Sequence, residues 1–171
     1  MPQKDPKTQA RRRELQENQS PDMKLRRGII AVSVVGMVAM GAVSLLQTGV
    51  VKHLPDPPLK SFDSDKVNSS DTAYSLGIPD GTLSLVSLAA NVPLAAFGDA
   101  NRSESAPLIP LAIAAKTTAE AVVASLYFFS MPLNEKKWCG YCIVGALSNV
   151  SIAALSLIEA NRALQSLRVQ K

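Results

Sequence analysis

Four long runs of apolar residues dominate the chain, separated by polar connectors. The first, Gly28 to Val50, holds 23 residues without a charge and carries Ile29, Ile30, Val34, Val35, Val38, Val43 and Leu45. At a rise of about 1.5 Å per residue, such a helix crosses a hydrocarbon layer roughly 30 Å thick. The second run, Ile78 to Phe97, opens on Pro79, Asp80 and Gly81 and is interrupted by Asn91 and Pro93. A proline there kinks an interior helix, and a packed bundle can re-satisfy the freed carbonyl. The third run spans Pro107 to Met131 and the fourth Cys139 to Ile158. The pattern predicts an all-α membrane protein, a four-transmembrane-helix bundle with an extracytoplasmic loop between helices 1 and 2. The competing reading of the first run is a cleavable signal cut near Ala39-Met40-Gly41-Ala42. A signal usually has a shorter apolar stretch and a shorter basic lead.

Composition adds the reason to trust distribution over averages. The 171 residues are 47% hydrophobic and 19% charged, which alone would suit a soluble domain. The charges, however, are segregated. Eight of the 18 Lys and Arg residues precede residue 28: Lys4, Lys7, Arg11, Arg12, Arg13, Lys24, Arg26 and Arg27. Basic residues favour the cytoplasmic side, and the C-terminal end also carries Arg162, Arg168 and Lys171. Both termini are therefore expected in the cytoplasm, with an even number of crossings through the cell (inner) membrane. Asp99 to Ser105 then turns on the cytoplasmic side, while Val51 to Gly77 and Pro132 to Trp138 face outward. Lys136 and Lys137 run against that rule. Residues 1–27 read as a disordered basic cytoplasmic tail, 28–160 as the transmembrane domain and 161–171 as a cytoplasmic C-terminal tail. The net charge of +4 comes with no zinc knuckle, helix-turn-helix or aromatic-interleaved basic stripe, so no nucleic-acid partner is expected.

Both cysteines lie in Trp138-Cys139-Gly140-Tyr141-Cys142, at the start of the fourth run. Two intervening residues bring the sulfurs within bonding distance at a helix start, so the pair can switch between dithiol and disulfide. The helix N-terminus and the charges of Lys136 and Lys137 favour a thiolate at Cys139. The expected topology puts this end outside, where disulfides persist. A structural zinc site needs about four ligands, and the chain offers only His53 besides these two cysteines, so no metal is expected. A purely structural disulfide closing so short a loop would constrain the unfolded chain little. Inert buried thiols are the remaining alternative.

The third run contains Lys116 and Glu120, four residues apart on one helical face. Charges at that depth are costly unless paired and turned toward the bundle interior or water. They read either as a self-satisfied structural pair or as the polar wall of an internal cavity, steering protons or binding a carbonyl of a lipid-soluble carrier. Ser148, Asn149 and Ser151 of the fourth run could line that cavity or glue helices together.

The CxxC leading directly into Ile143-Val144-Gly145-Ala146-Leu147 resembles the active-site helix of the vitamin K epoxide reductase family, membrane thiol oxidoreductases. The segment Phe62-Asp63-Ser64-Asp65-Lys66-Val67-Asn68-Ser69, followed by Tyr74 and Gly77-Ile78-Pro79, resembles that family's loop-then-helix pattern. Ala114-Ala115-Lys116 through Glu120-Ala121 resembles a bacterial branch. The resemblance covers roughly residues 28 to 160. It implies a four-helix bundle around a quinone pocket, with the CxxC passing electrons between a quinone and a loop cysteine pair that exchanges with a thioredoxin-like partner. This chain departs from the pattern: Val51 to Gly77 has no cysteine, with Ser64-Asp65 where members carry one, and Ala146 replaces a tyrosine. The family's internal thiol relay cannot operate here, so either an external thiol reaches Cys139 directly or this branch uses the fold for something else.

The expected function is a membrane quinone-linked thiol–disulfide oxidoreductase. Cys139, taken as the more accessible sulfur, exchanges with a thioredoxin-like or other thiol protein. Cys142, one turn deeper, resolves the mixed disulfide or contacts the quinone. Lys116 and Glu120 are expected as pocket groups, and Asp65, Asn68 and Ser69 as a cap on the outer mouth. The rival class is a non-enzymatic membrane scaffold whose outer loop, stiffened by Pro55-Asp56-Pro57-Pro58, binds a partner. A small transporter coupled through Lys116 and Glu120 has less support, since the chain has no visible repeat.

Overall fold

The computed structural model describes residues 5–169, so Lys4 and Lys171 of the charge argument lie outside the described residues. Among these residues every named element is a helix, and the one β-bridge joins Phe62 to Trp138. In chain order the α-helices are α1 (Pro6–Glu17), α2 (Pro21–Gln47), α3 (Ser64–Asn68), α4 (Asp80–Ala96), α5 (Arg102–Ser105), α6 (Leu108–Ser130) and α7 (Gly140–Val169). A 3₁₀ turn covers Asp71–Tyr74, and a π-helical turn at Met131–Glu135 closes α6.

Each apolar run becomes one long helix, and the four alternate in direction. α2 packs on α4 and α7, and α6 packs on α7. α2, α7 and α6 with its π-helical turn are long and apolar enough to cross a membrane. α4 has 17 residues, about 26 Å of rise, and is the short member completing the bundle. It passes through Pro93 without ending. Small residues set the close approaches. A Cβ on Gly81 would fall 2.5 Å from Val43 Cγ1, and one on Gly36 would fall 2.9 Å from both Leu88 Cδ1 and Ser148 Cβ.

The first span begins earlier than the apolar run. Ser20 caps α2 by accepting the Met23 amide, and Pro21 suits the first helical position, so the helix starts at Pro21 with charged residues in its opening turns. Within the tail expected to be disordered, residues 6–17 form α1 and residues 21–27 the opening turns of α2. The expectation weighed apolar burial alone and missed a polar anchor. The last carbonyls of α4 have no partner within their helix and carry the negative end of its dipole. Arg11 donates to the Ala96 and Gly98 carbonyls, both at 2.6 Å. Arg26 donates to Ala95, Phe97, Gly98 and Asp99. Arg102 donates to Leu94 and Phe97. Glu14 fastens α1 from the other direction by accepting the Ala100 amide at 2.6 Å.

Arg102 is fully buried and also forms a two-pronged pair with Glu159 of α7, at 2.7 and 2.8 Å. Arg162 pairs with Asp22, and Ser103 donates to the same carboxylate. The C-terminal segment from residue 161 is thus a continuation of α7 through Val169, tied to the start of α2. All of these groups sit at the termini end of the bundle. The Val51–Gly77 segment covers the opposite end.

Candidate active site

Cys139 immediately precedes α7 and caps it. Its sulfur accepts the Cys142 amide at 3.1 Å, and its carbonyl accepts the Ile143 amide. Cys139 and Cys142 form a disulfide with their Cα atoms 5.2 Å apart. The connection between α2 and α4 folds over this end as a lid. Phe62 and Trp138 form a short parallel bridge, with the Trp138 amide donating to Ser61 and the Asp63 amide to Trp138. Asp63 then caps α3 by accepting the Lys66 amide, which sets the last residue of α3, Asn68, directly over the cysteines.

Asn68 touches both sulfurs. Its Nδ2 donates to Cys139 Sγ at 3.2 Å and to the Ser64 carbonyl at 2.7 Å. Its Oδ1 lies 3.3 Å from Cys142 Sγ, where it accepts the S–H of a reduced pair. In the dithiol state the Cys142 amide and Asn68 Nδ2 are both placed to donate to Cys139 Sγ, while Asn68 Oδ1 is placed to accept the Cys142 S–H.

The accessibility order is the reverse of the sequence expectation. Cys139 is wholly buried, under Val67, Met131 and Trp138. Cys142 is half-buried and lines a cavity of about 560 Å³. The lid accounts for the reversal, because a helix start is open only when nothing folds across it. The cavity lies between α4 and α6, which Ser87 and Asn91 of the one and Lys116 and Glu120 of the other bridge at its deep end. Leu76, Leu83, Val86 and Val123 line it and are themselves exposed, so one side opens through apolar residues. Polar groups sit at two levels: Asn68, Asp80 and Cys142 beneath the lid, and Ser87, Glu120 and Asn149 deeper.

Glu120 reaches the cavity from the middle of α6. It accepts hydrogen bonds from Ser87 and, at 3.4 Å, from Asn91 Nδ2, and pairs with Lys116. Lys116 also donates to Asn91 Oδ1 at 2.7 Å and to the Ser87 carbonyl. Of the fourth-run polar residues, Asn149 lines the cavity, Ser148 is buried against Gly36, and Ser151 is exposed.

Two other expected cap residues lie elsewhere. Ser69 is exposed beyond the end of α3, and its neighbour Ser70 lines the cavity in its place. Asp65 faces outward to His53 and the Leu54 amide. That hydrogen bond and the adjacent carboxylate charge raise the His53 pKa above the usual imidazole value. Partial burial pushes the Asp65 carboxyl upward, but the bonds from His53 and Leu54 outweigh it and hold the pKa below the ordinary carboxylate value. Ser64 is buried and donates through both its amide and its hydroxyl to Asp56.

Sequence reasoning missed Gln47. Its Nε2 donates to Asp80 at 2.6 Å and to the Asn68 carbonyl, and its Oε1 accepts the Gly81 amide. A lone amide at the end of an apolar run was the only signal. Asp80 was visible as the acid opening the second run, but nothing in the sequence tied it to a cavity.

The family model described as the vitamin K epoxide reductase family matches residues 28–157. The chain belongs to that family. The match spans α2 through most of α7 and includes the lid, both cysteines and every cavity group named above. This family member is a multi-pass membrane protein of the thiol–disulfide oxidoreductase class. Neither a curated protein nor a solved structure matches the chain.

Proposed function

We propose that this vitamin K epoxide reductase family member is a quinone-linked thiol–disulfide oxidoreductase acting at the outer face of the cell membrane, with both termini in the cytoplasm. One observation carries the reading: Cys142 opens onto an apolar cavity while its disulfide partner lies sealed beneath the lid. The cavity volume falls in the range of small-molecule pockets, and its apolar walls with polar groups at two levels suit a planar ring carrying oxygen on opposite edges. A quinone bound there accepts two electrons and two protons.

The chain's own residues divide the remaining work. A thiolate of a thioredoxin-like or other thiol protein attacks Cys139 Sγ of the disulfide and Cys142 leaves, protonated and held by Asn68 Oδ1. A second thiol of the partner then releases Cys139, leaving the partner oxidised and the CxxC reduced. Cys139 waits as a thiolate under Asn68 Nδ2 and the Cys142 amide, and Cys142 presents its sulfur to the cavity. Lys116 and Glu120 are polar groups at the cavity's deep end. The lid has no cysteine, so the partner reaches Cys139 only when α3 lifts. The catalytic unit is the 28–160 domain.

Differential alkylation of reduced protein in membranes, before and after adding a short-chain quinone, tests the reading. We expect both cysteines to become protected together, and a C139S/C142S variant at normal membrane levels to lose all quinone-dependent thiol oxidation. Cysteines that stay reduced with every quinone tried would falsify it.

A further inference from the structure

We infer that the Lys116–Glu120 pair is the proton source for the deep end of the cavity, supplied from the side of the membrane where the termini lie. This inference rests on the quinone reading above. Reduction of a bound quinone by Cys139 thiolate and Cys142 thiol is one proton short. The two sulfurs give up two electrons and form their S–S bond, and the Cys142 thiol gives one proton. The second proton must come from the cavity wall if hydroquinone is the product.

Position singles out Glu120. The other titratable side chains on the described cavity wall are Asp80, Tyr127, Glu135 and Cys142, and all four lie on the lid side of it. Glu120 sits near the midpoint of α6, and Lys116 lies one turn further toward the termini end. A pair serving only to tie α4 to α6 has no need of a carboxylate on the cavity wall. Glu120 is there, oriented by Ser87 and Asn91 from the facing helix. The Lys116 side chain is 32% exposed, so its stem reaches the surface of the bundle. Its ammonium turns into the bundle, where the Ser87 carbonyl, Asn91 Oδ1 and Glu120 accept its hydrogen bonds.

The proton step balances within the pair. Ammonium and carboxylate together hold one transferable proton, which passes through the Glu120 carboxyl to the quinone oxygen. Amine and carboxylate remain until the amine is reprotonated from the termini side. Thiol oxidation at the lid end therefore draws a proton from the opposite compartment.

The test uses reduced full-length protein in vesicles oriented with the lid outward, a trapped pH dye and a short-chain benzoquinone. Disulfide formation is read by mass-tagging, and quinone binding by quenching of Trp138, the single tryptophan. In the wild-type protein the lumen turns alkaline as the disulfide forms. Glu120→Gln should quench equally, oxidise about 10²-fold more slowly, and give no lumenal signal. Glu120→Asp should recover part of both rate and signal, which a purely structural role does not predict. Lys116→Met keeps the cavity carboxyl and should also abolish the lumenal signal, giving a second reading if Glu120→Gln folds poorly. An unchanged rate in Glu120→Gln across acid to alkaline pH, or a lumenal signal that survives both substitutions, overturns the inference. A wild-type protein inert to all quinones overturns the functional reading instead.

Discussion

One carboxamide polarises the two sulfurs in opposite senses. Asn68 gives a hydrogen to Cys139 and offers a lone pair to Cys142, so its chemistry differs at two atoms only a bond angle apart. Asn68→Leu removes both contacts while keeping the side chain's bulk. A hydrogen bond to a charged group contributes about 1.5–3 kcal/mol, so Cys139 alkylation in the reduced protein should slow by tenfold or more at neutral pH. Stopped-flow alkylation with mass readout measures it, and an unchanged rate would leave the helix start as the whole source of thiolate stabilisation.

His53 and Asp65 give the lid a pH response. The His53 pKa is raised in the folded protein, so the stability it contributes is complete below the ordinary imidazole value and fades as pH rises through the raised one. Asp65 is shifted down, so its contribution is present above the ordinary carboxylate value and is lost as pH falls through the lowered one. The latch is strongest between those limits. Amide exchange at Leu54, corrected for intrinsic rate, should accelerate from mildly acidic to alkaline pH, and His53→Ala should flatten the profile.

At the scale of the helix, the termini end of the bundle is held by buried charge. Removing one partner of a buried ion pair typically costs about 3–5 kcal/mol, because the other is left desolvated and unpaired. Glu159→Ala should therefore lower the thermal midpoint in detergent far more than the paired replacement Arg102→Leu/Glu159→Leu, though that double change still orphans the α4 carbonyls. Equal losses in the two would show that the carbonyl contacts dominate.

The same region marks the limit of what the sequence discloses. Length and apolarity located four helices because spanning a membrane constrains both. They did not locate helix starts, which depend on single caps such as Ser20. Nor did they foresee α1, since Arg11 and Glu14 are ordered by carbonyls and amides 85 or more residues away. The CxxC was legible because its function is local in sequence. The burial of Cys139 was not, since it depends on where residues 62–68 come to rest. Asn68 was visible through its neighbourhood in a loop-then-helix pattern, whereas Gln47 had no pattern to betray it.

Across the whole molecule, the two cysteines face different media. Cys142 meets an apolar cavity, and Cys139 meets the underside of the lid. In reduced protein, a lipid-soluble maleimide should label Cys142 before Cys139, and a charged impermeant reagent should label neither until the lid is loosened by Asp56→Ala, which frees Ser64. Peptide mass mapping distinguishes the two sites. Rapid labelling of Cys139 by the impermeant reagent in the intact protein would mean that the lid stands open.

The brevity of α4 reaches beyond the protein. Its 17 residues are clasped by guanidinium groups at one end and tied to Gln47 at the other, so it has no freedom to slide toward either surface. Acyl chains alongside it must shorten or splay to match, while those beside α2 and α7 need not. The bilayer is therefore expected to be thinnest on the flank where the cavity opens, which shortens the path from the lipid midplane to Cys142.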